Sequence, residues 1–288
     1  MIQNFKYLTH SEEDKHWGLY ANVSGFAQIN IKEIYPPEGH PDEYFFQWNQ
    51  GRILDEFQLI YITEGEGIFE TKHKTYQIKA GNIILLFPNE WHRYRPLHET
   101  GWTENYIGFS GEIAKNSMSF FKKNDPVQYI GFNESIVNSF KSISQLAQEE
   151  TSGFQQVISG HILFILGKMR QIILNKSFAN TPIEKTINQS RIYMRDHLSE
   201  HINLEELADM LNISYSQFRG SFKKYTGISP GQYLLQLKLQ KAKNLLVNST
   251  QNIKEISFNS GFESPFYFSK VFKKHIGISP SDFREKFN

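Results

Sequence analysis

A stretch of seventeen residues near the end of the chain occurs twice, about fifty positions apart. Residues 214–230 read SYSQFRGSFKKYTGISP and residues 264–280 read SPFYFSKVFKKHIGISP, identical at nine of seventeen positions. Phe218 answers Phe268, Phe222 answers Phe272, Lys223 and Lys224 answer Lys273 and Lys274, and both copies close on Gly-Ile-Ser-Pro. Such a duplication confines the region to two copies of one small unit. Within a copy, Phe218, Phe222 and Tyr225 at i, i+4 and i+7 form one apolar stripe on a helix. Gly227 falls where a left-handed C-terminal cap belongs, and Ile228 supplies its apolar contact. Ser229 then serves as N-cap and Pro230 as the first residue of the next helix.

A second short helix precedes each copy. Asn203 caps LEELADML with Glu206 three residues on, and Asn252 with Glu255 does the same for IKEISFNS, so two capping boxes are expected. The turns are Asn212-Ile213 in one unit and Gly261-Phe262-Glu263 in the other. Helix, tight turn and basic amphipathic helix is the outline of a helix-turn-helix, here present twice in register.

On these residues, the segment from about 185 to 287 resembles the tandem helix-turn-helix domain of AraC-type transcription regulators. The phrase GFESPFYFSKVFKKHIGISPSDFR carries most of that family's signature. The resemblance implies base-facing positions at Ser216, Arg219 and Gly220 in the first recognition helix and at Phe266, Tyr267 and Lys270 in the second. Gly220 departs from the polar residue usual there. Arg219 matches guanine O6 and N7. Phe266 and Tyr267 suit thymine methyls, with plain packing as the open alternative. Lys223, Lys224, Lys273 and Lys274 are expected against phosphates. Residues 230–246 form a linking helix of about 25 Å, near the scale that sets two recognition helices one DNA turn apart. Lys238 stands in it where the family usually has Arg.

Length allows two domains with real cores. The absence of cysteine excludes disulfides, thiolate metal sites and the alkyl-acceptor repair chemistry sometimes joined to this DNA-binding domain. No basic, apolar leader opens the chain and no apolar run approaches the ~20 residues of a membrane span, which predicts a cytoplasmic protein. The net charge of +1 hides an asymmetry: residues 183–288 hold 15 Lys and Arg against 10 Asp and Glu, and residues 1–182 hold 16 against 20. The basic excess coincides with the duplicated units, as DNA binding requires.

Residues 1–45 carry few signals beyond the turn-rich run Tyr35-Pro-Pro-Glu-Gly-His-Pro41. From Phe57 to about Phe109 the pattern is β, with strands of 5–7 residues separated by Gly-Glu-Gly, Ala-Gly-Asn and Pro-Asn-Glu turns. A small antiparallel barrel or sandwich follows. Gly65-Glu-Gly67, Ala80-Gly-Asn82, Leu86-Phe-Pro88, His92, Trp102 and Phe109-Ser-Gly resemble the cupin-like sensor domain that precedes many AraC-type domains. The resemblance implies a barrel holding a small effector, often a sugar. His73, His92 and His98 lack the paired spacing of metal-dependent cupins, so neither a metal nor a cofactor is expected.

Strand alternation puts His92 and Tyr94 on one face, with Trp91, Arg93 and Arg95 on the other, and groups Glu104 with Tyr106. Rings that stack on sugar faces beside groups that bind hydroxyls make Glu64, His92, Tyr94, Glu104 and Tyr106 the candidate effector residues. Glu64, Tyr94, Glu104 and Tyr106 also fall where the arabinose-responsive family member places ligand contacts, with different residue types at most of them. That these residues merely satisfy one another stays open, and Trp48 and Arg52 are further candidates.

Residues 132–176 turn helical. Ile136, Phe140, Ile143 and Ala147 share one side of the first helix, and the second is apolar enough to serve both the barrel and a homodimer, with His161 read as a packed histidine. The expected fold is α+β in two domains. Residues 1–130 form a cupin-like barrel with an arm, 131–176 a helical dimerisation segment, 177–184 a linker, and 185–288 the tandem helix-turn-helix domain. The expected function is a homodimeric activator, not an enzyme, that binds double-stranded DNA, responds to a carbohydrate effector and meets RNA polymerase. The alternatives are a regulator with a ligand-free, purely dimerising barrel and a cupin-type enzyme.

Overall fold

The computed structural model describes every residue except 1, 34, 36–47, 177, 179, 180 and 288, so most of the turn-rich run after Tyr35 lies outside the described residues. The chain divides into two compact units, Met1–Ile173 and Leu174–Asn288.

The first unit opens with β1 (Ile2–Tyr7), α1 (Glu12–Trp17) and β2 (Tyr20–Ile29), a segment the sequence pattern left unassigned. It continues through β3 (Phe57–Thr71), β4 (Thr75–Lys79), β5 (Asn82–Leu86), β6 (His92–Pro96), β7 (Trp102–Ser110), α2 (Glu112–Met118) and β8 (Val127–Tyr129), and ends with α3 (Glu134–Glu149) and α4 (Phe154–Asn175). The strands pair antiparallel in the order β1-β2-β7-β3-β5-β8, with β4 and β6 also on β3.

The expected turn at Gly65-Glu-Gly67 is not a turn. β3 is one strand of 15 residues that changes sheets in its middle. Its first half pairs with β7 and β5, and its second half with β4 and β6. A register shift between Ile62 and Glu64 marks the bend, and Gly65 takes φ +79 there. A Cβ at Gly65 would lie 2.1 Å from the Gly101 carbonyl oxygen, so glycine permits the crossing of strands. Tight turns do fall at Gly81 and Asn89, both with positive φ.

Two apolar clusters result. Ile60, Ile62, Phe69, Ile84, Tyr94, Trp102 and Tyr106 fill the inside of the bent sheet. On the opposite face, Leu59, Tyr61, Ile107 and Phe109 pack against Ile136, Phe140 and Ile143 of α3 and Ile158, Ile162 and Ile165 of α4. The α3 stripe is the one its periodicity predicted. α4 is also tied down by polar groups that periodicity did not reveal. The buried Gln155 amide accepts from Ala21 N–H at 2.8 Å and donates to Ala21 C=O at 3.0 Å, extending the ladder where β2 bulges. His161 is only partly buried. By length and composition α4 is long and apolar enough to cross a membrane, contrary to expectation, although one side of it is built into this core.

The second unit is helical: α5 (Pro182–Asp196), α6 (Leu204–Met210), α7 (Tyr215–Thr226), α8 (Pro230–Asn248), α9 (Ile253–Asn259), α10 (Pro265–Ile276) and α11 (Pro280–Phe287). α5 begins inside the expected linker, where Thr181 caps it and Pro182 opens it. Phe178, also assigned to that linker, is buried edge-on against Tyr225 at 5.2 Å.

The duplication is visible in the packing. Phe218 and Phe222 meet at 5.5 Å, as do Phe268 and Phe272. Tyr233 then packs on Phe222 as Phe283 packs on Phe272. α8 serves both cores, giving Leu234 to the first and Leu239, Ala242 and Leu246 to the second.

Candidate functional site

Local rules account for both recognition helices. Ser214 and Ser264 accept from the backbone N–H of Gln217 and Tyr267, and Gly227 and Gly277 close the helices at φ +86 and +92. Asn252 and Glu255 form the expected capping box, whereas Glu206 accepts from the Asn203 side-chain amide rather than from its backbone. Burying the phenylalanines fixes the opposite face outward. Ser216, Arg219, Gly220, Lys223 and Lys224 are all exposed on α7, as are Lys270, Lys273 and Lys274 on α10. Phe266 and Tyr267 are 81% and 56% exposed. Tyr267 also meets the Phe262 ring at 6.4 Å, whereas the Phe266 ring stands almost wholly in water at the N-terminal end of α10.

The sensor unit concentrates its buried polar groups inside the bent sheet. His92 and Tyr94 point inward from β6 while Arg93 and Arg95 point outward, as alternation requires. β7 is buried along almost its whole length, so its inner face is set by packing: Trp102 and Tyr106 join the inner cluster, and Glu104 is 3% exposed beside them. Gly25 of β2 makes room for Tyr106, since a Cβ there would lie 2.2 Å from the ring.

Arg52 joins these residues. Its Nε donates to His92 Nε2 at 3.1 Å and its Nη2 to the Tyr94 hydroxyl at 2.5 Å. His92 Nε2 is therefore the acceptor, and Nδ1 carries the proton toward the Glu90 carbonyl at 3.0 Å. Burial, assisted by Arg52, lowers His92 to about 3 and keeps it neutral. Burial raises Glu104 to about 8 against the opposing pull of Arg52. Burial also pushes up the Tyr94 hydroxyl, to about 12, and those of Tyr106 and Tyr35. Among the described residues, Glu104 Oε2 and the Trp102 indole N–H are buried without a well-formed hydrogen bond, although the indole faces the carboxyl and opposes the effect of burial on it.

The structure thus brings together His92, Tyr94, Glu104 and Tyr106 with Arg52, but not Glu64 or Trp48. Glu64 is exposed beyond the β3 bulge, where it accepts from Thr103 Oγ1 at 3.2 Å. Trp48 lies outside, under the guanidinium groups of Arg93 and Arg95 at 4.4 and 4.0 Å. Tyr35, which sequence reasoning did not single out, sits 6.1 Å from both the Tyr94 and the Trp102 rings. Among the described residues no group of three His, Cys, Asp or Glu could hold a metal.

One unit with paired, outward-facing basic helices and another with a buried polar cluster inside a β-sheet define a DNA-binding regulator with a ligand-binding domain. Residues 207–286 match a family described as a helix-turn-helix domain, and residues 32–163 match the AraC-like ligand binding domain. The chain belongs to the AraC family of transcription regulators and is not an enzyme. It is 29% identical over 240 residues to the lactose operon transcription activator of Staphylococcus xylosus, covering 82% of this chain and 86% of that protein. It is 27% identical over 241 residues to the MmsAB operon regulatory protein of Pseudomonas aeruginosa, covering 81% and 76%. Among solved structures, the C-terminal domain of AraT, a response regulator from Geobacillus stearothermophilus, is 32% identical; the match covers 35% of this chain and 84% of that one, with a TM-score of 0.34.

Proposed function

We propose that this regulator activates genes of carbohydrate use, with a hydroxyl-rich effector held at Arg52, Tyr94, Glu104 and Tyr106. The observation that carries the reading is the buried polar cluster, in which the Glu104 carboxyl and the Trp102 indole N–H face each other without a well-formed hydrogen bond. Such groups cost free energy unless a ligand or water satisfies them, and a sugar offers both a donor and an acceptor beside aromatic rings. The similarity to a lactose operon transcription activator supports the same class.

The working form in this proposal is a homodimer through α4. Val157, Gly160, Phe164, Gly167 and Gln171 recur at spacings of 3 and 4 and are all exposed, the pattern of a helix-helix seam. Nothing lies within 4 Å of a Cβ placed on Gly160 or Gly167, so the Phe164 ring of a second copy can settle between them. Activation then proceeds through contact with RNA polymerase at the bound promoter.

The test is thermal unfolding of the full chain against mono- and oligosaccharides. A ligand at 100 times its Kd adds ~2.7 kcal/mol to the state that binds it. A sugar-specific shift that Glu104→Gln and Tyr94→Phe abolish is the expected result. A shift that both variants retain would reject the assigned pocket.

A further inference from the structure

Beside the inner polar cluster, the barrel has a mouth with its own chemistry. A cavity of about 290 Å³ opens between the β3–β4 turn, the β5–β6 turn and residues 123–126. Its wall is apolar and aromatic, with Phe69, Tyr76 and Phe87, and His92 forms the side shared with the inner cluster. Its rim is cationic: Lys72, Lys74 and Lys123 line it, with His73 between the first two. Glu90 is the one carboxylate among the described lining residues, and it pairs with Lys123 at 3.1 Å, leaving the other two ammonium groups uncompensated by it. Lys74 is held over the Tyr76 ring at 4.6 Å, so its charge stays at the opening. This cationic rim belongs to the half of the chain whose Asp and Glu outnumber Lys and Arg, 20 against 16 in residues 1–182.

We propose that this mouth binds the anionic end of the effector, a carboxylate or phosphate carried on a ring. A ring of sugar or aromatic type packs on Phe69, Tyr76 and Phe87 while its anion meets Lys72, Lys74 and Lys123. The hydroxyl-bearing end of the same molecule meets His92, the member of the inner polar cluster that also lines the cavity and accepts from Arg52. This assignment rests on the effector reading above and narrows it from carbohydrates in general to acidic ones, uronic acids or sugar phosphates.

The experiment pairs each acid with its neutral partner: galacturonate with galactose, and glucose 6-phosphate with glucose. Unfolding temperature and Trp fluorescence of the full-length protein are followed at constant ionic strength; Trp91, which lines the cavity, is the local reporter. At least one acid is expected to bind roughly tenfold or more tightly than its neutral partner. A Lys72→Gln, Lys74→Gln, Lys123→Gln triple variant is expected to lose that preference, and a Lys79→Gln control to keep it. These exposed substitutions leave the core intact, so a changed preference is not a folding defect. Neutral sugars binding as well as their acids would overturn the mouth assignment and leave the sugar-sensor reading standing. A preference that survives in the triple variant would overturn it equally, and a panel without binding would sink both readings.

Discussion

The Lys238 ammonium donates to the carbonyl of Gly261, tying the linking helix α8 to the turn of the second helix-turn-helix. Lys238 is partly buried, over the Phe262 ring at 5.8 Å, and burial lowers its pKa. Gly261 has φ +78, and a Cβ there would lie 2.2 Å from the Leu198 carbonyl oxygen. Lys241 donates to Ser199 Oγ at 2.5 Å and His201 pairs with Glu263, so α8 and the α5–α6 loop hold that turn from two sides. Lys238→Met is expected to cost the helical unit about 1–2 kcal/mol. It should weaken binding to DNA carrying both half-sites more than to a fragment carrying only the first. Equal losses on the two fragments would mean that the bond does not position α10.

Protonation of the inner cluster shapes stability against pH. Glu104, raised to about 8 from a usual value near 4.5, binds its proton more tightly when folded, so its contribution falls as pH rises from about 4.5 to 8. His92, lowered to about 3 from 6.5, binds its proton less tightly when folded, so its contribution rises over that range. The slopes oppose each other between about 4.5 and 6.5, giving a plateau with decline on either side. Glu104→Gln is expected to remove the alkaline decline while keeping the acidic one. Chemical denaturation of the full chain from pH 3 to pH 8.5 reads both arms.

Arg219→Ala is expected to cost ~1–3 kcal/mol at one base position and little elsewhere. Lys223→Ala should weaken all sequences alike and reduce the salt dependence. Binding to a set of single-base operator variants separates the two patterns. A uniform loss for Arg219→Ala would place that side chain on phosphate.

Phe164 is 44% exposed at the centre of the seam proposed on α4. Phe164→Glu is expected to convert dimers to monomers in sedimentation, with the unfolding temperature of the isolated monomer little changed. A dimer that persists would locate self-association elsewhere.

The two halves of the protein differ in how much of them was legible. In the DNA-binding half, the elements follow from interactions between residues three or four apart: the Phe218–Phe222 stripe, the Ser214 cap and the left-handed Gly227. The duplication states these signals twice, and the structure places every candidate DNA residue on an open surface. In the sensor half, β1 and β2 escaped notice because their pairing lies with each other and with β7, some eighty residues on. β7 is buried on both faces, so alternation alone could not orient it. Glu64 was misplaced because a bulge turns the strand beneath it, and Arg52 stood outside any strand pattern. The sequence by itself determined the family, the paired helix-turn-helix units and most of the polar residues gathered in the barrel. Only tertiary structure decided which of those residues meet, since strand pairing, bulges and burial depend on contacts between distant parts of the chain.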